Sequence, residues 1–106
     1  MEIKDLSQRA MRVRQLYAGL ERKEYGRAWT SEEIALGFVG DVGDLAKLVM
    51  AQAGIRAIPD AESKLAHELA DCLWSILVLS QAYGVDIEHA FLETMDELEQ
   101  HIALSL

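Results

Sequence analysis

Hydrophobic residues recur every three or four positions along most of the chain, and short segments with glycine or polar residues interrupt the pattern. This spacing is typical of amphipathic α-helices, and no stretch alternates apolar and polar residues as a strand would. The pattern predicts four helices, at about residues 2–25, 31–53, 61–83 and 87 to near the C-terminus. A length of 106 residues is that of one domain. We therefore predict an all-α fold, a four-helix bundle, in a single domain spanning residues 1–106.

Capping residues and glycines mark the ends of the predicted helices. Thr30 is followed three residues later by Glu33, which is the arrangement of a capping box at a helix N-terminus. Asp60 and Asp86 precede the third and fourth helices and are expected to act as N-caps. The first three helices are expected to end at glycines, namely Gly26, Gly54 and Gly84.

The second and third predicted helices are apolar on most sides. They read IALGFVGDVGDLAKLVMA over residues 34–51 and LAHELADCLWSILVLS over residues 65–80. Helices of this composition are normally buried on most sides, and one short domain offers too little surface to cover both. We therefore predict a homo-oligomer, a dimer or tetramer whose core is shared between chains, with a monomer as the alternative.

The composition argues against nucleic-acid and membrane partners and indicates a reducing compartment. The net charge is −8 at pH 7, which argues against duplex nucleic-acid binding because that requires a basic surface. No uncharged stretch is long enough to span a bilayer, and the N-terminal segment is charged throughout, unlike a signal peptide. The single cysteine, Cys72, fits a reducing compartment. We expect a soluble, cytoplasmic protein with no membrane or duplex nucleic-acid partner.

Four carboxylates interrupt the apolar stretches of the second and third helices. Asp41 and Asp44 are three residues apart, which places both on one face of a helix. The same spacing separates Glu68 and Asp71 on the next helix. With a rise of about 1.5 Å per residue, counting from the intervening turn puts the two pairs level in an antiparallel hairpin. Carboxylates gathered there repel one another and lose hydration, unless they bind protons, bases or a cation.

Two interpretations of these acids follow from the spacing. Ligand sets made only of oxygen suit Mg²⁺ or Mn²⁺, so all four carboxylates are candidate metal ligands. Alternatively, the acids line a solvated seam and pair with Lys47 and Lys64, which are among the nearest bases in the sequence. The spacing alone leaves both interpretations open.

Both acidic pairs lie within longer stretches of characteristic sequence. Residues 40–45 read GDVGDL, residues 68–74 read ELADCLW, and Trp29-Thr30 leads into the second helix. These stretches resemble the MazG-like, all-α nucleotide pyrophosphohydrolases, whose signature is two adjacent Glu, two residues, a third Glu, a spacer, and Glu-x-x-Asp. The spacer here, residues 45–67, falls within the range that the family uses, and the similarity covers about residues 25–100.

The resemblance implies a helical dimer or tetramer that cleaves nucleoside triphosphates between the α and β phosphates, releasing a monophosphate and pyrophosphate. It also implies bound Mg²⁺, with Mn²⁺ as a substitute, which would neutralise the phosphates and orient a water for in-line attack. The implied metal ligands are Asp41, Asp44, Glu68 and Asp71.

The chain departs from the family pattern at three points. Gly40 stands where the family has the first Glu of the adjacent pair, which is expected to position or deprotonate the attacking water. Asp41 and Asp44 replace Glu and are one methylene shorter. The fourth helix reads AFLETMDELEQHI over residues 90–102 and offers no Lys or Arg to a triphosphate.

Three residues remain as candidates for substrate binding. Trp29 can stack on a nucleobase or, instead, pack against the turn that precedes its helix. Lys47 and Lys64 are candidate phosphate contacts, as are the first helix and another subunit. No catalytic residue is assigned, because the family position is Gly40. We predict a Mg²⁺-dependent nucleoside triphosphate pyrophosphohydrolase weakened by Gly40; the alternative is a catalytically inactive protein that binds metal or nucleotide, or regulates a partner.

Overall fold

The computed structural model describes the whole chain, Met1–Leu106, and consists of four α-helices without strands. The helices are α1 (Ile3–Tyr25), α2 (Ser31–Gln52), α3 (Ala61–Ala82) and α4 (Ile87–Ser105). The predicted all-α fold and the four predicted helices are therefore confirmed, with ends that agree within one or two residues. None of the four combines the length and apolar character needed to cross a membrane.

The three predicted N-cap residues all lie at helix starts, and at two of them the side chain makes a capping hydrogen bond. Thr30 Oγ1 accepts a hydrogen bond from the Glu33 amide at 3.2 Å, and the Glu33 carboxylate accepts one from the Thr30 amide at 3.0 Å. Asp86 Oδ1 accepts from the His89 amide at 3.1 Å. Asp60 occupies the N-cap position of α3, as predicted, but its side chain makes no capping hydrogen bond. Its backbone is left-handed, with φ of 55°, whereas a capping side chain normally requires extended backbone.

The helix ends confirm the role of glycine. Gly26, Gly54 and Gly84 all have positive φ, at 80°, 76° and 67°. This left-handed conformation ends a helix with little strain only where the side chain is absent. At the end of α1, the Gly26 amide also donates to the Arg22 carbonyl at 3.0 Å.

The core lies where α1 and α2 meet α3. It centres on Ala10, Ile34, Leu77 and Val78, all of which are buried. The connection between α2 and α3 is short, so the two helices pack as an antiparallel hairpin, and α1 packs against α3. No residue of α4 is fully buried, although Ile87 at its start packs against the core. The chain alone is thus a three-helix core from which α4 extends.

Much of the apolar surface of α2, α3 and α4 is exposed in the single chain. The radius of gyration is 16.9 Å, whereas a compact domain of this length has about 13 Å. The exposed side chains include Leu36, Val39, Val49 and Met50 of α2, Leu69, Leu73 and Ile76 of α3, and Phe91, Leu92, Leu98 and Ile102 of α4. The burial predicted for the second and third helices is therefore not achieved within one chain.

Candidate metal site

Three of the four predicted acids meet across the hairpin. Asp41 and Asp44 project from successive turns of α2, and Glu68 faces them from α3. Each offers one carboxylate oxygen to a group in which all three atoms lie within 4.8 Å of one another. The spacing between the acids and the turn predicted a group of four carboxylates, and the structure brings three of the four together.

Asp71 lies beside this group without joining it. Its Oδ2 is 3.2 Å from Nε2 of His67, one turn earlier on α3; the His67 side chain is largely exposed and that of Asp71 is half-buried. The charge of Asp71 nevertheless reaches the group, since it helps to raise the pKa of both Asp41 and Glu68. Its role as a fourth ligand stays a prediction.

The group is electrostatically costly as it stands. Burial raises the pKa of Glu68, and the negative charges of Asp71, Asp41 and Asp44 raise it further. Burial also raises the pKa of Asp41, again with contributions from Asp71 and Asp44. In addition, Glu68 Oε2 is buried and has no hydrogen-bond partner. Buried polar atoms without partners are rare, and one within a group of acids is suited to contact a cation.

The two nearby lysines do not neutralise the acids. The salt bridges of the chain involve other residues, and none joins Lys47 or Lys64 to a carboxylate. Both lysine side chains are exposed. The alternative interpretation, a seam of acids paired with these lysines, is therefore not what the structure contains.

The donor set fits a hard divalent cation. Carboxylate oxygens are preferred ligands of Mg²⁺, which binds them at about 2.1 Å and completes an octahedron with water. Ligands of such an ion are separated by about 3 to 4 Å, so the observed spread of up to 4.8 Å requires only small side-chain rotations. Asp41, Asp44 and Glu68 are thus the residues that could hold the ion. Asp71 lies beside them and is a candidate fourth ligand.

An aromatic cavity of about 650 Å³ opens beside Asp41 and Asp71, between α1, α2 and α3. Its lining includes five aromatic side chains: Tyr17, Tyr25, Trp29, Phe38 and Trp74. The rings of Tyr17 and Trp74 meet edge to face, with centroids 5.8 Å apart. Trp74 Nε1 also donates to the Ala10 carbonyl at 3.1 Å, which fixes this wall to α1.

A buried ion pair fixes the position of Trp29 at the cavity. Arg14 donates two hydrogen bonds to the Glu21 carboxylate, at 3.0 and 3.1 Å, and a third to the Trp29 carbonyl at 2.9 Å. The Trp29 amide in turn donates to Glu21 Oε1 at 2.7 Å. The hydrogen bonds from Arg14 are the main reason that the pKa of Glu21 is lowered. Sequence reasoning missed this pair; its only signal was the seven-residue spacing, which places both residues on one face of α1.

A second cavity, of about 460 Å³, lies next to Asp44 and Glu68. Lys47, Lys64 and His67 contribute to its lining, and we call it the lysine cavity. It lies closer to the α2–α3 turn than the aromatic cavity does, because Lys47 follows Asp44 and Lys64 precedes Glu68. Of the three grouped carboxylates, Asp41 therefore lines the aromatic cavity, and Asp44 and Glu68 line the lysine cavity.

Comparison with known proteins adds one match. The sequence model of the MazG nucleotide pyrophosphohydrolase domain family matches residues 29–101, from Trp29 into the last part of α4. The match spans both acidic pairs and well over half of the chain. No curated protein and no solved structure matches the sequence.

Proposed function

The chain belongs to the MazG nucleotide pyrophosphohydrolase domain family, and we propose that it hydrolyses nucleoside triphosphates in the cytoplasm to a monophosphate and pyrophosphate, with Mg²⁺. The observation that carries this proposal is the group of Asp41, Asp44 and Glu68, with its unpartnered buried oxygen, next to a cavity of nucleoside size. Carboxylates grouped without a cation repel one another, which favours binding of a divalent ion. An aromatic cavity beside such an ion is suited to the base of a nucleotide whose phosphates contact the ion.

We assign the binding of Mg²⁺, or Mn²⁺ in its place, to Asp41, Asp44 and Glu68, joined by Asp71. A bound ion of this kind neutralises phosphate charge and makes a bound water more acidic. His67 holds the Asp71 carboxylate at one side of the group. Because His67 and Asp71 also line the aromatic cavity, rotation of this carboxylate towards the other three would couple ligand binding to metal binding.

The aromatic cavity is the proposed site of the nucleoside. Its volume of about 650 Å³ lies within the range of small-molecule sites. Trp29 is 46% exposed and available for stacking, and its backbone is held by Arg14 and Glu21. Stacking of a base on an aromatic side chain contributes about 1 to 3 kcal/mol, which is enough to position a nucleotide at the carboxylates.

Gly40 supports a second candidate function, a regulatory protein that binds metal and nucleotide without turnover. A carboxylate expected to position or deprotonate the attacking water is missing there. A Cβ added at Gly40 would meet no atom within 4 Å, so nothing within the chain requires glycine at this position. We prefer the hydrolase, because three grouped carboxylates lie next to the aromatic cavity and support binding of both metal and nucleotide. Without the carboxylate at position 40, we expect its turnover to be slow.

We also propose a homo-oligomer, a dimer or a tetramer, as the functional form. The accessible surface is 8073 Å², whereas a folded monomer of 11.8 kDa exposes about 5,900 Å². The difference, about 2,200 Å² per chain, is of the size that obligate interfaces bury. The exposed apolar residues of α2, α3 and α4 supply a surface of the right character.

A pyrophosphate-release assay tests the enzymatic proposal. The wild-type protein is assayed with canonical and modified triphosphates, first with Mg²⁺ and then with Mn²⁺. Release is expected, and Asp41→Asn or Glu68→Gln should reduce it by about 100-fold or more, as loss of a few kcal/mol of transition-state stabilisation does. Asp96→Asn, which changes an exposed acid of α4, is the matched control and should leave the rate unchanged. Absence of release under every condition would favour the regulatory candidate.

A further inference from the structure

The lysine cavity is lined by two of the few basic residues in the second to fourth helices. Residues 29–106 contain fourteen Asp or Glu and only three Lys or Arg, which are Lys47, Arg56 and Lys64. Two of these three, Lys47 and Lys64, line one cavity, together with His67 and the carboxylates of Asp44 and Glu68. Neither lysine forms a salt bridge, although acids greatly outnumber bases around them. Two unpaired ammonium groups at one cavity are available to an anion from solution.

The two cavities and the carboxylates follow a definite order along the α2–α3 hairpin. On α2, Asp41, Asp44 and Lys47 occupy successive turns, so the first and last are about 9 Å apart along the helix axis. On the antiparallel α3, the order from the same end is Asp71, Glu68 and Lys64. The aromatic cavity adjoins the first pair and the lysine cavity adjoins the last. A ligand lying along this seam would pass from aromatic rings to carboxylates to lysines.

Arg14 is the one other Lys or Arg that lines either cavity, and its guanidinium is already paired. Arg14 lines the aromatic cavity but donates to Glu21 and to the Trp29 carbonyl. Arg27 is paired with Glu33 at 2.6 Å. Helix α4 contains no Lys or Arg. Within one chain, positive charge next to the carboxylates therefore comes from the lysine cavity.

We infer that the lysine cavity binds the β and γ phosphates of the triphosphate, and therefore the pyrophosphate product, while the nucleoside occupies the aromatic cavity. This orientation rests on the proposed function. It places the bond between the α and β phosphates at the carboxylates. On hydrolysis, the water oxygen bonds to the α phosphorus, the bridging oxygen leaves with the β phosphorus, and the proton passes to solvent. Lys47 and Lys64 stabilise the charge that the leaving pyrophosphate carries.

Calorimetric titration with inorganic pyrophosphate, in the presence of Mg²⁺, tests this assignment. Lys47→Met and Lys64→Met are each expected to weaken pyrophosphate binding about tenfold or more, since each removes a charge-assisted contact. Affinity for a nucleoside monophosphate should change less than twofold in the same variants. Arg56→Met removes the third base of this region, which lines neither cavity, and is the matched control. Its pyrophosphate affinity should equal that of the wild type.

Three results would overturn the assignment. The first is that the wild-type protein does not bind pyrophosphate. The second is that the double lysine variant binds pyrophosphate with unchanged affinity. The third is that Arg56→Met lowers the pyrophosphate affinity as much as the lysine variants do. Both lysines are exposed, so the variants should fold, and unchanged helicity by circular dichroism verifies this.

The titration needs no turnover, so its result is separable from that of the proposed function. Lysine-dependent pyrophosphate binding without hydrolysis would refute the enzyme and retain the lysine cavity as a pyrophosphate site. If instead the lysine variants hydrolyse triphosphates with unchanged kcat/KM and unchanged inhibition by pyrophosphate, the enzyme is retained and the lysine cavity is refuted as a pyrophosphate site.

Discussion

Replacing Glu68 by Gln should stabilise the protein when no divalent cation is present. The substitution keeps the shape of the side chain but removes one of three charges whose oxygens lie within 4.8 Å. At that distance, one pair of like charges repels by about 1 kcal/mol in water and about 3.5 kcal/mol at an effective dielectric constant of about 20. Glu68 takes part in two such pairs. Because Asp44 is exposed and Asp41 half-buried, the lower value is the better guide, and a gain of about 1 to 2 kcal/mol is expected.

Thermal unfolding in EDTA and in millimolar Mg²⁺ measures this effect. Without the cation, the gain corresponds to an increase in Tm of about 5 °C or more for a domain of this size. Mg²⁺ should raise the Tm of the wild-type protein, because it binds the folded state, and should raise that of the variant much less. The same charge is therefore expected to destabilise the protein without Mg²⁺ and to stabilise it with Mg²⁺.

The dependence on pH has a defined sign. Burial and the neighbouring acids raise the pKa of Glu68 above its ordinary value of 4.5. The folded state therefore binds the proton more tightly, and the stability of the wild-type protein falls as pH rises through the raised pKa. The advantage of the variant should be complete at neutral pH and should disappear as pH falls towards 4.5.

Two outcomes would contradict this reasoning about Glu68. One is a variant that is less stable than the wild type in EDTA at neutral pH. The other is a variant that keeps the full increase in Tm on addition of Mg²⁺. Glu97→Gln changes an exposed acid in the middle of α4 and should alter stability by less than about 0.5 kcal/mol under both conditions.

Three further predictions concern other parts of the chain. Gly40→Glu should fold normally, because the gain of about 0.5 kcal/mol in helix propensity offsets the repulsion from Asp44 one turn later. It should increase the rate of pyrophosphate release, and unchanged release would show that the missing carboxylate is not what limits turnover. Arg14→Met should lower the free energy of unfolding in urea by about 3 kcal/mol, because it leaves the partly buried Glu21 carboxylate without a counter-charge. A loss below about 0.5 kcal/mol would contradict a structural role. Arg27 and the Thr30 amide lower the pKa of Glu33 to about 2, so its contribution to stability should be complete above pH 4.5 and lost as pH falls towards 2. Carboxyl-detected NMR should find this pKa restored towards 4.5 in Arg27→Met, and an ordinary value in the wild type would contradict the ion pair.

Features fixed by neighbouring residues in the sequence were predicted well. The capping box of Thr30 and Glu33 requires only residues three positions apart, and the glycine ends require only a left-handed backbone. Asp60 shows the limit of such signals. Its residue type suits an N-cap, but the connection from α2 imposes a left-handed backbone on it, and the side chain makes no capping bond.

The grouping of Asp41, Asp44 and Glu68 could be predicted because it depends on helical rise and on one short turn. These two quantities alone bring Asp44 level with Glu68, and contacts with α1 or α4 are not needed. The position of the Asp71 carboxylate depends instead on its contact with His67, which is a choice of side-chain rotamer. The aromatic cavity depends on contacts between α1 and residues far along the chain, such as Trp74 Nε1 with the Ala10 carbonyl. No local pattern encodes a contact of that kind.

The proposed metal site and the proposed assembly are linked, because the same two helices carry both. Repulsion among the grouped carboxylates acts to separate α2 from α3, and few buried residues of a single chain oppose it. In the proposed oligomer, a second copy packed on the exposed apolar residues of α2 and α3, such as Val39 and Leu73, would hold the hairpin closed. Mg²⁺ would act in the same direction by cancelling the repulsion. Since both favour the closed hairpin, linkage requires that each strengthens the other, so metal affinity should rise with protein concentration over the range in which chains associate.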